Sequence, residues 1–272
     1  MREELFKNCT LCPRKCNVNR LEGKRGYCGM DSTIRAARAA LHMWEEPCIS
    51  GKKGSGAVFF SGCGLRCCFC QNRDIAIGDS GKEISVERLA EIFLELQEKG
   101  AANLNLVTGA HYVPHIISAL ELARGKGMNL PVVYNSSGYE SVETIRRLDG
   151  YVDVYLPDMK YMEPELAAAF SNARDYPQAA QSAIAEMMRQ TGPCQFAEDG
   201  YIKRGTIVRH LILPGHTQNS IAVLKYLYRT YGEDIFISVM NQYTPVWKNE
   251  KFPELNRKVT RRESAKVLDA AI

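Results

Sequence analysis

Residues 57–72 read AVFFSGCGLRCCFCQN. Four apolar residues stop at a Ser-Gly pair and open into a loop that holds four cysteines. An apolar run of this length bounded by glycine reads as a buried strand. Downstream, Leu89, Ile92, Phe93 and Leu96 recur at helical spacing between Ser85 and Gly100, so Ser85 is the expected N-cap and Gly100 the stop. The local order is therefore strand, cysteine loop, helix.

The same alternation recurs along the chain. NLNLV (103–107) precedes a helix from near Pro114, PVVY (131–134) a helix from Ser141, and DVYL (153–156) helical segments around 163–170 and 178–190. TIVRHLIL (206–213) precedes a helix from about 220 to 231, and DIFISVM (234–240) closes the series. Six strands alternating with helices predict a parallel α/β architecture whose βα loops gather at one end. Six units are too few for an eight-fold barrel, and pattern alone leaves an open partial barrel and a doubly wound sheet both standing. Residues 1–50 show no sustained period and are expected to form a small module organised by its cysteines. Residues 51–250 make the α/β body and 251–272 a tail ending in the helix-like RRESAKVLDAAI.

Composition narrows the function classes. In 272 residues the apolar fraction is 45%, enough for a sizeable core. The formal charge of +4 comes from 35 basic and 31 acidic residues without a basic block, so neither a nucleic acid nor another polyanion is indicated as partner. No apolar run approaches the roughly 20 residues of a membrane span, and MREELFKNC has no apolar signal core, so a cytoplasmic location without membrane contact is expected. Eight of the ten cysteines fall into two groups with metal-ligand spacing, which favours metal or cluster binding over disulfides.

In the first group, Cys63, Cys67 and Cys70 form a C-x3-C-x2-C triple at the C-terminal end of strand one, where α/β folds keep their active sites. Three thiolates can hold three irons of a four-iron cubane. The fourth iron is left for a bidentate group such as an amino acid moiety. A structural zinc site with Cys68 or a distant fourth ligand is the competing reading, although zinc sites usually pair C-x2-C units. Cys68 reads as a small buried residue, and Cys48 and Cys194 as ordinary thiols.

This loop resembles the radical S-adenosylmethionine (SAM) signature. GSGAVFFSGCGLRCCFCQN, PVVYNSSGYE, DVYLPDMKY and IVRHLILPG are similar to the branch that includes pyruvate formate-lyase activating enzyme, over about residues 54–245. The resemblance implies a partial (β/α)6 barrel, a [4Fe–4S] cluster on Cys63, Cys67 and Cys70, bound SAM, and Phe69 near the adenine. It further implies reductive cleavage of SAM to a 5′-deoxyadenosyl radical and hydrogen abstraction from a substrate such as a glycyl residue of a partner enzyme. An electron donor such as flavodoxin or ferredoxin is expected with it. Rival readings from other classes are a non-catalytic zinc protein that binds a partner and an iron–sulfur protein that only carries electrons.

Later strand ends supply the expected SAM contacts. Relatives usually carry a Gly-Gly-Glu-like motif after the second strand. VTGAH (107–111) offers Thr108 and Gly109 without the acid. Asn135, Ser136 and Ser137 end the third strand and can hydrogen-bond a ribose, though NSSG also reads as a turn. Asp158 and Lys160 resemble the Asp-x-Lys element of the activating enzymes. Arg209, in an otherwise interior strand, needs an anionic partner, for which the SAM carboxylate is the candidate. His210 points to the other face and reads as structural. Gln242 and Tyr243 end the sixth strand and are expected to face substrate, while His111 and His115 near the second loop read as packed or solvated.

The second group, Cys9-x2-Cys12-x3-Cys16-x11-Cys28, offers four soft ligands in about twenty residues. A segment this short and poor in apolar side chains needs a clip to order, which predicts a bound metal. Spacing does not decide between zinc and a second iron–sulfur cluster. A closed four-thiolate zinc site, structural and not required for radical generation, is the expectation.

Overall fold

The computed structural model describes residues 4–270, so Met1–Glu3 of the expected N-terminal module and Ala271–Ile272 of the tail lie outside the described residues. Its nine strands are β1 (Ile34–His42), β2 (Ser55–Phe60), β3 (Lys82–Ile84), β4 (Leu104–Val107), β5 (Val132–Ser136), β6 (Val154–Pro157), β7 (Gln195–Phe196), β8 (Ile202–Leu211) and β9 (Phe236–Met240). Six of them, β2-β4-β5-β6-β8-β9, run parallel and in chain order, with helices between successive members. These are the six strands expected from the alternation. β9 pairs with β8 and not with β2 among the described residues, so the wall curves but stays open as a partial barrel.

The crossover helices form where the apolar period places them. Ser85 caps helix Val86–Glu98 by accepting from the Arg88 N–H, and Leu89, Ile92, Phe93 and Leu96 turn inward, one face at i, i+3, i+4 and i+7. They pack with helix Val113–Gly125 against the outer faces of β2 and β4 around Val58, Leu104 and Leu106. Val133, Val154, Leu156 and Ile207 fill the interior together with Ile49, which enters from the short turn Pro47–Ser50.

Residues 1–50, expected to form a small module organised by its cysteines, also contain a strand that no periodicity announced. β1 runs antiparallel to β2 from Ala36↔Phe60 to His42↔Ser55, and β3 pairs antiparallel outside it. IRAARAALH is rich in alanine and arginine, half exposed along most of its length and, beyond Ile34, without the β-branched or aromatic residues by which a strand is recognised. The edge it completes would otherwise be left open beside the cysteine loop. The tail does form a helix, Arg261–Asp269, started by a capping box between Thr260 and Glu263. No helix among the described residues is long and apolar enough to cross a membrane.

Candidate active site

The C-terminal ends of the parallel strands surround a cavity of about 300 Å³. Cys63, Cys67, Cys70 and Phe69 line it from the loop after β2. Thr108 lines it after β4, Asn135, Ser136 and Ser137 at the end of β5, Asp158 and Lys160 after β6, and Arg209 and Leu211 on β8. Met240 and Gln242 close it from β9. Residues spread over 180 positions of sequence are gathered because each ends a strand of one sheet at the same height.

Three cysteines, not four, share this wall. Cys68 lines no part of it. Its N–H donates to Phe170 O at 2.8 Å, and its side chain packs in the cluster of Leu65, Tyr161 and Phe170. Each of the three thiols receives a donor: Leu65 N–H to Cys63 Sγ at 3.4 Å, the Ser171 hydroxyl to Cys67 Sγ at 2.9 Å, and the Asn72 backbone to Cys70. Burial pushes the Cys67 thiol up to about 12, against the pull of the Lys160 ammonium beside it. Such a thiol becomes a thiolate when a metal takes the proton's place. Trp247, expected nowhere in the site, donates its indole N–H to Cys70 O at 3.0 Å and lies over the loop with Arg73 stacked on its ring.

The polar residues form one network. Arg209 donates to Asp158 Oδ1 at 3.0 Å, to Asn135 Oδ1 at 2.7 Å and to Glu45 Oε2 at 3.2 Å. Lys160 Nζ donates to Asp158 Oδ2 at 2.6 Å, and Asn135 Nδ2 to Glu45 Oε1 at 3.2 Å. Asp158 and Glu45 thus face Lys160 and Arg209 inside the barrel, with Glu46 adding negative charge beside Glu45 and Arg209. Burial alone would raise Asp158, but Lys160 and Arg209 hold its carboxyl below the ordinary range. Burial likewise works against the charge on Lys160 and on Arg209, and Asp158 reverses it in both. Glu45 is the weakly held member, since burial outweighs Arg209 and raises it.

The anionic partners of Arg209 are therefore supplied by the chain itself. Glu45, which precedes the Pro47–Ser50 turn, carried no sequence signal for this role because its contact with Arg209 spans 164 positions. Gly109 does not line the cavity: a Cβ there would stand 2.6 Å from Ile116 Cδ1, so the glycine serves close packing. Tyr243 is buried beneath Leu255 O, to which its hydroxyl donates at 2.8 Å. His111 and His115 sit apart from the cavity, with Nε2 against Ser61 O and Ser32 O. His210 turns outward as expected, its Nδ1 2.7 Å from Met159 O.

Comparison with known proteins agrees with this geometry. The Radical SAM superfamily pattern matches residues 57–227, which include the cysteine loop and all but the last parallel strand. An uncharacterized protein of Methanocaldococcus jannaschii is 30% identical over 276 residues, covering 99% of this chain and 75% of its own length. The pyruvate formate-lyase-activating enzyme of Clostridium pasteurianum is 27% identical over 113 residues, 40% of this chain and 46% of that enzyme. Among solved structures, anSMEcpe with bound AdoMet superimposes with a TM-score of 0.52 at 11% identity, over 78% of this chain and 57% of that one, a likeness of fold. With the triple cysteine loop at the mouth of a six-stranded parallel wall and the superfamily pattern running through both, the chain belongs to the radical SAM superfamily.

Proposed function

We propose that this chain cleaves SAM reductively at a [4Fe–4S] cluster held by Cys63, Cys67 and Cys70, and that the 5′-deoxyadenosyl radical abstracts hydrogen from a glycyl residue of a partner enzyme. The observation that carries the reading is the three-thiol wall. Three sulfurs with hydrogen-bond donors leave one position of a cubane without a protein ligand, in a largely apolar cavity that also holds paired charged side chains. When bound, such a cluster supplies an electron to the sulfonium and an open iron to the amino and carboxylate groups of SAM.

The chain's own residues do the rest. Phe69, held edge-on between Phe170 and Tyr243 at 6.2 and 6.3 Å, offers a fixed aromatic surface for the adenine. Lys160 and Asp158 present a cation and an anion near Cys67, the polarity that a zwitterionic amino acid group requires, and Ser137 and Thr108 offer hydroxyls. Leu65, Leu211 and Trp247 limit water at the reacting end. The glycyl substrate rests on the similarity to the clostridial activating enzyme.

Anaerobic reconstitution with iron and sulfide, followed by assay of 5′-deoxyadenosine and methionine, tests the first part. No product with an intact cluster would overturn it. Incubation with a glycyl-radical enzyme and the glycyl doublet in electron paramagnetic resonance (EPR) tests the second, and product without any glycyl signal would refute that substrate.

A further inference from the structure

None of the residues that line the cavity comes from the segment of Cys9, Cys12, Cys16 and Cys28. That segment instead packs on the back of the cluster loop. Cys12 Sγ stands 3.6 Å from where a Cβ on Gly64 would be. Gly64 follows Cys63, so Cys12 Sγ lies within about 9 Å of the Cys63 Cα, given ~3.8 Å between successive Cα atoms. Arg14 donates to Gly64 O at 2.8 Å and to Ser171 O at 3.1 Å, and the Ser171 hydroxyl donates to Cys67. Gly62, at φ 89°, leaves room for this contact, because a Cβ there would stand 2.5 Å from Met30 Cγ and 2.9 Å from Cys28 O.

Each of the four sulfurs has a hydrogen-bond donor beside it. Arg20 Nη1 lies 3.8 Å from Cys9 Sγ, Tyr27 N–H donates to Cys16 Sγ at 3.2 Å, and the backbone N–H groups of Arg14 and Met30 reach Cys12 and Cys28. Every sulfur thus meets a donor, as at Cys63, Cys67 and Cys70. Donors of this kind stabilise the charge on thiolate-bound iron and set its potential.

Arg20 adds an independent sign of an anion. It is fully buried, and its acceptors are the carbonyls of Met30, Asp31 and His111 and the Cys9 sulfur, with no carboxylate among its described partners. A guanidinium buried in this way needs negative charge close by, which metal-bound thiolates supply.

Zinc would serve Arg20 equally well, but two observations favour iron. The segment does not depend on a metal alone for its order: Phe6, Cys9 and Leu11 form a small core, and Thr144 Oγ1 donates to Leu11 O at 2.8 Å. Further, Cys12 Sγ lies within about 9 Å of the Cys63 Cα, so a centre there stands beside the inner cluster, where iron can exchange an electron and redox-inert zinc cannot.

We propose that Cys9, Cys12, Cys16 and Cys28 hold a second [4Fe–4S] cluster that passes electrons to the cluster of Cys63, Cys67 and Cys70, a role that rests on the SAM-cleaving function proposed above. A low-potential protein donor gives up one electron to the outer cluster. The outer cluster is reoxidised as it passes that electron to the inner one, which SAM then oxidises, so one electron leaves the donor for each SAM cleaved.

Metal analysis of the full-length Cys63/Cys67/Cys70→Ala variant, reconstituted anaerobically, should find about four irons with matching sulfide. Zinc without iron, or neither metal, would overturn the site. This readout does not depend on SAM cleavage, so an inactive wild type would refute the proposed function and leave the site standing. The relay is read from Cys12→Ser and Cys16→Ser, with SAM binding and iron on the inner site as the check on folding. Cleavage driven by reduced flavodoxin should fall more than about tenfold while dithionite-driven cleavage stays within about twofold. Equal rates from both reductants would overturn the relay. In fully reduced wild type, EPR lines should be broadened by coupling between two clusters and narrow in the triple variant. Lines of equal width in both would refute the adjacency.

Discussion

Arg209→Met should destabilise the protein by about 3–5 kcal/mol, the usual loss when one partner of a buried ion pair is removed. The side chain is 15% exposed and serves three acceptors. Asp158 keeps Lys160 at 2.6 Å after the change, but Glu45, 8% exposed, is left with the Asn135 amide and the repelling Glu46 carboxyl. The stranded Glu45 carboxylate is therefore the main cost. For a chain of this size the midpoint of thermal unfolding should fall by roughly 6–20 °C. Because Glu45 carries that cost, Glu45→Gln in the Arg209→Met background should recover about half of the loss, whereas Glu45→Gln alone should cost about 1 kcal/mol. Urea titration of the four proteins of the cycle gives the coupling energy. A double variant no more stable than Arg209→Met would refute the assignment of Glu45 as the partner that matters. SAM titration of the same proteins separates direct contact from support: affinity restored with stability marks Arg209 as holding Asp158 and Asn135 in place, and affinity still lost marks it as a SAM ligand.

Single Cys63→Ala, Cys67→Ala and Cys70→Ala should each abolish SAM cleavage while Cys68→Ala, whose thiol lies off the cavity, retains it; equal loss in all four would overturn the ligand set. Ser171→Ala removes the hydroxyl donor to Cys67 Sγ, so a redox titration should show the cluster potential moving negative, and an unchanged potential would show that the donor is idle. His210 is buried and pushed down to about 4 by burial, below its ordinary value. The unfolded chain therefore takes up this proton first on acidification. The stability it contributes is present above about pH 6.5 and lost as pH falls toward 4, some 3 kcal/mol at about 1.4 kcal/mol per unit. Denaturant titrations of His210→Gln across that range should give a flatter acid limb, and a limb parallel to wild type would refute the assignment. Gly62→Ala should lower iron retention by straining a positive-φ residue against Met30 and Cys28, as read by iron content after gel filtration; full retention would show that the contact gives way.

Much of the body was legible because its signals are local. A buried parallel strand is a short apolar run and a crossover helix an apolar stripe, so VVYNS (132–136) or VERLAEIFLELQE (86–98) declares its class by itself. The cysteine triple declares its chemistry in eight residues, since ligand number and spacing are properties of the chain. β1 was not legible, because a strand rich in alanine and arginine is held by its neighbours β2 and β3 and hardly by its own propensity.

The sequence by itself thus determined the order of strands and helices, the three-thiol loop and the strand ends on which a site could form. Only the tertiary structure decided that Glu45 and Asp158 neutralise Arg209, that Ser171 and Trp247 attend the cysteine loop, and that the N-terminal cysteines stand behind that loop. Helix and strand periods arise from neighbours a few positions apart, whereas these contacts join residues 51 to 177 positions apart, and such pairs are set by how the sheet curves and what its burial leaves to be compensated.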